Sequence, residues 1–153
     1  MKENQNLFRD LQEDFRKMKK NLLVAQSGGP TAAINATLAG VIKQAIKEEQ
    51  IDQVYGACYG IQGVLEQKFV NLTEKVDTEE KLEKLKRTPA AALGSCRFKL
   101  NDIKEDDSQY QEIVDILHKM NIGYFVYIGG NDSMDTVAKL SAYCKEKGVE
   151  DIK

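Results

Sequence analysis

Tyr124-Phe125-Val126-Tyr127-Ile128-Gly129-Gly130-Asn131-Asp132-Ser133-Met134 is an apolar run that ends in a glycine pair and leads into a second patterned segment. The run is short, β-branched and aromatic, which predicts a buried strand. Beyond the glycines, Met134, Val137, Ala138, Leu140 and Ala142 predict a helix that stops near Gly148. Before the run, Ile113, Ile116, Leu117 and Met120 form a helical stripe. Helix, strand, glycine turn and helix in this order make an α/β unit.

The same pattern recurs upstream. Leu22 to Ala25 leads into Gln26-Ser27-Gly28-Gly29-Pro30-Thr31, and a helical pattern follows through Ile34, Leu38, Val41, Ile42, Ala45 and Ile46. A further apolar run, Val54 to Cys58, reaches Tyr59-Gly60-Ile61-Gln62-Gly63, read as a turn at a strand's end. Strands of buried type alternating with helices predict the α/β class, with a parallel sheet covered by helices on both faces. All the glycine turns then fall on one edge of the sheet, where such folds bind ligands.

The rest of the chain fits around this core. Leu7, Leu11, Phe15 and Met18, with Phe8 beside them, predict an amphipathic helix within residues 1–20, placed ahead of an α/β domain at 21–153. Thr73 to Arg87 is dominated by Glu and Lys and reads as a solvated helix closed by Pro89. Gly94-Ser95-Cys96-Arg97-Phe98 is another glycine-containing turn.

Composition narrows the function. The 153 residues carry 22 Lys and Arg against 24 Asp and Glu, a net charge of −2, which argues against an electrostatic nucleic-acid binder. No stretch approaches the roughly 20 apolar residues that cross a bilayer, so no membrane or targeting segment is expected. Cys58, Cys96 and Cys144 are odd in number and widely spaced, which reads as reduced thiols in a cytoplasmic chain. With the lone His118 they do not make a zinc set. His118 reads as a surface or boundary residue, Cys96 as a packing residue, and Glu105, Asp106 and Asp107 as a loop or helix-start feature.

A Ser27-Gly28-Gly29 turn between strand and helix lets a phosphate approach bare backbone and amide N–H groups. The chain lacks both Gly-x-Gly-x-x-Gly and the Walker ending, so neither fingerprint applies. The second turn adds Asp132 and Ser133, either of which would also cap a helix. Arg97 supplies a planar fork suited to phosphate oxygens. Two glycine turns, a carboxylate and an arginine on one edge point to a phosphate-binding α/β domain equipped for phosphoryl transfer.

These residues resemble the phosphofructokinases from Asn21 onward. The likeness rests on Ser27-Gly28-Gly29-Pro30 with Ile34-Asn35-Ala36, Tyr59-Gly60 with Gly63, Leu93-Gly94-Ser95-Cys96-Arg97-Phe98, and Gly129-Gly130-Asn131-Asp132-Ser133. The resemblance implies a Rossmann-like N-terminal domain that binds the phosphoryl donor through Gly29, Arg97, Gly130, Asn131, Asp132 and Ser133, with Mg²⁺ as cofactor. Two departures stand in the last turn: Asn131 replaces the usual aspartate, and Asp132 the second-pair glycine of ATP-dependent members. The pyrophosphate-dependent members are similar in having an acidic residue there, and Gly129 to Thr136 resembles a bacterial subgroup of them. A carboxylate fills space that a nucleotide needs, while pyrophosphate is shorter. Asp132 is accordingly the candidate metal ligand, and Asn35 is expected to pin the first turn. Asp135 is read first as a helix-surface residue and second as a site residue.

The resemblance implies phosphoryl transfer from pyrophosphate to the C1 hydroxyl of fructose 6-phosphate, a glycolytic step, by a homo-oligomer. ATP as donor is the alternative, as is a non-catalytic module that binds pyrophosphate or a nucleotide. The family's Thr-Ile-Asp-Asn-Asp motif, which holds the general base, is not found up to Lys153. The chain therefore reads as a partial domain with no catalytic residue of its own, inactive alone, and with an exposed sheet edge.

Overall fold

The computed structural model describes residues 2–153. Four strands, β1 (Lys20–Gln26), β2 (Ile51–Ala57), β3 (Phe69–Asn71) and β4 (Ile122–Ile128), form one sheet in the order β3-β2-β1-β4. β1 pairs in parallel with both β2 and β4, with Ala25 opposite Ala57 and Gln26 opposite Ile128. The three strands therefore end together, and their following turns share one edge. The expected parallel sheet is present, with one addition: β3 pairs antiparallel to β2, Ala57 opposite Phe69. A strand of three residues carries too little periodicity to be read from sequence.

Helices lie on both faces. In β1, Leu22 and Val24 point to one side and Leu23 and Ala25 to the other, as a strand's period of two requires. The first pair packs against α2 (Ile34–Ala45) through Leu38, Ala39 and Ile42, and against Leu82 of α5 (Glu79–Arg87). The second pair packs with Ile61 and Val64 of α3 (Gly60–Leu65), Ile113 and Leu117 of α6 (Ser108–Lys119), and Leu140 of α7 (Asn131–Lys147). Burial on both sides is why the β1 sequence is an unbroken apolar run.

Three expectations need correction. Residues 73–87 are not one solvated helix. They split into α4 (Leu72–Lys75) and α5, which pack Leu72 and Leu82 into the core and are capped by the side chains of Asn71 and Thr78. The glycine stretch after β2 is not a simple turn, because Tyr59 adopts a left-handed conformation and starts α3. Thirdly, α7 has no side-chain cap, for its N-cap is Gly130 and both Asp132 and Ser133 lie inside its first turn.

At the N-terminus, α1 (Lys2–Met18) is helical as its spacing predicts, yet Leu7, Phe8, Leu11, Phe15 and Met18 are between 58% and 72% exposed. At the other end Lys153 joins the free edge of β4, donating to the Gly123 carbonyl at 2.9 Å and accepting from the Phe125 N–H at 2.8 Å. That alternation is the start of a parallel ladder. No helix among the described residues is long and apolar enough to cross a membrane.

Candidate functional site

The carboxyl ends of β1 and β4 are adjacent, so the two glycine turns meet. The Ser27 N–H continues the ladder by donating to the Ile128 carbonyl at 2.8 Å. Gly28 has φ +79, and a Cβ there would stand 3.2 Å from the Gly130 nitrogen. A Cβ on Gly129 would overlap Ser133 Oγ and approach the Ser27 carbonyl to 2.9 Å. Gly28 is thus required by its left-handed backbone and the nearness of the second turn, and Gly129 by Ser133 in its own segment together with the Ser27 carbonyl. The second glycine of each pair is not required in this way: a Cβ on Gly29 or Gly130 meets nothing within 4 Å. What glycine does at those two positions is leave backbone bare toward open space.

That open space is a cleft of about 810 Å³, lined by Ser27, Gly28, Gly29 and Pro30 of the first turn, Gly130 to Ser133 and Thr136 of the second, and Ser95 to Lys99. The third wall has neither helix nor strand and is tied to the first turn by side chains. Ser95 Oγ donates to the Gly28 carbonyl at 2.7 Å and Ser27 Oγ to the Cys96 carbonyl at 3.3 Å. Of the site residues expected from sequence, Gly29, Arg97, Gly130, Asn131, Asp132 and Ser133 all line this cleft.

Its charge and donor set suit an oxyanion. Arg97 is exposed at the cleft wall with no ion pair among the described residues. The amides in the first turn of α7 precede any intrahelical acceptor, and no side chain caps them. Ser133 is 2% exposed and its Oγ has no partner. A buried hydroxyl of this kind is costly to leave unsatisfied.

Several contributors were not singled out from sequence. Lys99 Nζ stands 3.5 Å from Asp132 Oδ1, an exposed pair spanning the cleft mouth. Tyr127 forms part of the floor, where its Oη accepts the Ile61 N–H at 3.1 Å and lies 3.9 Å from Cys96 Sγ. Burial pushes the Tyr127 hydroxyl pKa up, so it stays a neutral phenol. Neither residue carries a local motif, and both are recruited by tertiary approach.

Other candidates take structural roles. Asp135 pairs with Lys139 at 2.8 Å along α7 and does not line the cleft. Asp106 accepts the Ser108 N–H at 3.0 Å, which holds its carboxyl below the usual range, and Asp107 pairs with Lys147 at 3.3 Å. His118 bonds Asp151 at 3.0 Å, joining α6 to the last residues. Cys144 is buried in the core, and burial raises its thiol pKa. No group of three His, Cys, Asp or Glu is placed to hold a metal among the described residues. Asn35 bonds Gln26 at the base of the first turn and reaches a second segment as well. Its amide bonds residues 88 and 92 as well as Gln26.

The profile of the family described as Phosphofructokinase matches residues 21–150, which takes in all of this cleft. The chain belongs to the phosphofructokinase family. Within that family it is 44% identical over 123 residues to the pyrophosphate–fructose 6-phosphate 1-phosphotransferase of Rhodospirillum rubrum, covering 80% of this chain and 29% of that protein. A solved pyrophosphate-dependent phosphofructokinase from Nitrosospira multiformis superposes with TM-score 0.76 at 38% identity, over 84% of this chain and 31% of that one. Similarity to an ATP-dependent 6-phosphofructokinase of Bacteroides thetaiotaomicron is lower, 32% over 122 residues, covering 78% of this chain and 34% of that protein. The chain thus spans about a third or less of the length of these phosphofructokinases.

Proposed function

We propose that this chain is the donor-binding part of a pyrophosphate-dependent phosphofructokinase, and that its cleft holds pyrophosphate. The observation that carries the reading is Asp132, an exposed carboxylate lining the cleft beside Lys99, which takes up space that a nucleotide needs and the shorter pyrophosphate does not. The higher identity to pyrophosphate-dependent relatives supports it. The reaction of the whole protein is phosphoryl transfer to the C1 hydroxyl of fructose 6-phosphate. A P–O bond of pyrophosphate breaks and releases phosphate, a C1–O–P bond forms, and the hydroxyl proton passes to a base.

The residues of this chain bind and orient the donor. Bare amides at Gly29 and in the first turn of α7 donate to phosphate oxygens, and the Ser133 hydroxyl gains the partner it lacks. Arg97 clamps the group being transferred, stabilising charge that spreads over its oxygens. Asp132 faces Lys99 across the cleft mouth. Mg²⁺ fits in a restricted sense: it binds through one or two carboxylates plus substrate phosphates and keeps several waters, and Asp132 is the one carboxylate lining the cleft among the described residues. When bound with the donor, Mg²⁺ neutralises phosphate charge.

Calorimetry with pyrophosphate and ATP, each with Mg²⁺, tests this reading. The unmodified chain is expected to bind pyrophosphate and to show no ATP binding. Asp132→Gly is expected to admit ATP, and ATP bound more tightly than pyrophosphate by the unmodified chain overturns the assignment.

A further inference from the structure

Gln26 and Asn35 are both completely buried, one at the end of β1 and the other in the first turn of α2, so they flank the first glycine turn. Each side-chain polar atom has a partner. Gln26 Nε2 donates to Asn35 Oδ1 at 3.1 Å and to the Ile34 carbonyl at 3.2 Å. Both side chains then reach out to one distant segment. The Leu93 N–H donates to Gln26 Oε1 at 2.9 Å, the Ala92 N–H to Asn35 Oδ1 at 2.8 Å, and Asn35 Nδ2 to the Thr88 carbonyl at 2.8 Å.

The segment held in this way, residues 88–101, forms neither helix nor strand and carries Arg97. Its backbone contacts to the rest of the fold are sparse, chiefly the Tyr59 N–H donating to the Leu93 carbonyl at 2.8 Å. Buried amides in a core demand full satisfaction, and two of them satisfied by one irregular segment fix its path. Leu93 is four residues from Arg97, and Ser95 and Cys96 between them complete the tie to the first turn.

We infer that Gln26 and Asn35 are positioning residues for the donor site: they clasp the 88–93 segment so that Arg97 is presented to the same phosphate that the glycine turns bind. The inference rests on the proposed donor-binding reading. It extends that reading to two side chains that touch no ligand and act through Arg97. The clasp also links the geometry of the Gly28-Gly29 turn to that of the arginine, because it holds both ends of the turn.

A double-mutant cycle on pyrophosphate affinity, measured calorimetrically, separates this role from plain stabilisation. Asn35→Ala is expected to weaken pyrophosphate about tenfold, the scale of one lost charge-assisted hydrogen bond. In an Arg97→Ala background the same substitution is expected to have almost no effect, because the group it positions is gone. Equal losses in both backgrounds overturn the inference while leaving the donor-binding reading intact. Absence of pyrophosphate binding by the unmodified chain overturns both.

Hydrogen exchange on the unmodified chain gives a test that does not depend on how a variant folds. The Ala92 and Leu93 amides lie in an irregular segment and donate to the side chains of Asn35 and Gln26, and they are expected to exchange as slowly as those of β1. Exchange at open-loop rates there overturns the clasp itself.

Discussion

At the scale of single residues, the two glycine pairs divide their labour in a way that sequence cannot display. Gly28 and Gly129 are needed by backbone conformation and close packing, whereas Gly29 and Gly130 face open space. Gly129→Ala is therefore expected to cost about 1–3 kcal/mol of stability through overpacking against Ser133 and Ser27, read from a urea melt. Gly130→Ala is expected to leave the melt unchanged and weaken pyrophosphate binding. A destabilisation by Gly130→Ala as large as that of Gly129→Ala contradicts the division. The motif was legible as four glycines in two pairs. Which of them is hemmed in and which faces open space depends on the folded path of both turns. Lys99 was illegible for the same reason, since its partner Asp132 arrives from another element.

At the scale of elements, α7 is the helix whose start lines the cleft. The short helices α4 and α5 receive side-chain caps from Asn71 and Thr78, while α7 begins uncapped at the cleft. Asp132 and Ser133 looked like caps because those residue types favour the N-cap, but the chain enters α7 two residues earlier. The last residues are held by a different element contact. The hydrogen bond from His118 holds the Asp151 carboxyl below its ordinary value of 3.8. A lowered pKa contributes stability that is complete above the ordinary value and is lost as pH falls through the lowered one. The segment 149–153 is therefore expected to loosen below about pH 4, the ordinary carboxylate range. The measurement is intrinsic-rate-corrected hydrogen exchange at the Phe125 and Lys153 amides, which Lys153 pairs across the β4 edge. Asp151→Asn is expected to abolish the pH dependence, and its persistence in that variant excludes the mechanism.

At the scale of the whole molecule, the sheet and its two helical layers form the cooperative unit, and α1 stands apart from them with its apolar side chains exposed. Deleting residues 1–18 is expected to leave the thermal midpoint within about 2 °C, less than the shift produced by 1 kcal/mol in a domain of this size. A fall of more than about 4 °C shows that α1 contributes to the packed unit. Sequence alone determined the α/β class, the places of strands β1, β2 and β4 along the chain, and the residues of the glycine turns that line the cleft. Buried strands, amphipathic helices and glycine turns are written in local residue types and their spacing. Only the tertiary structure decided the antiparallel β3, the inward packing of Leu72 and Leu82, the Lys99–Asp132 pair and the Gln26–Asn35 clasp. Each of these is a meeting of segments distant along the chain, whose partners are fixed by where the sheet brings them and not by their neighbours in sequence.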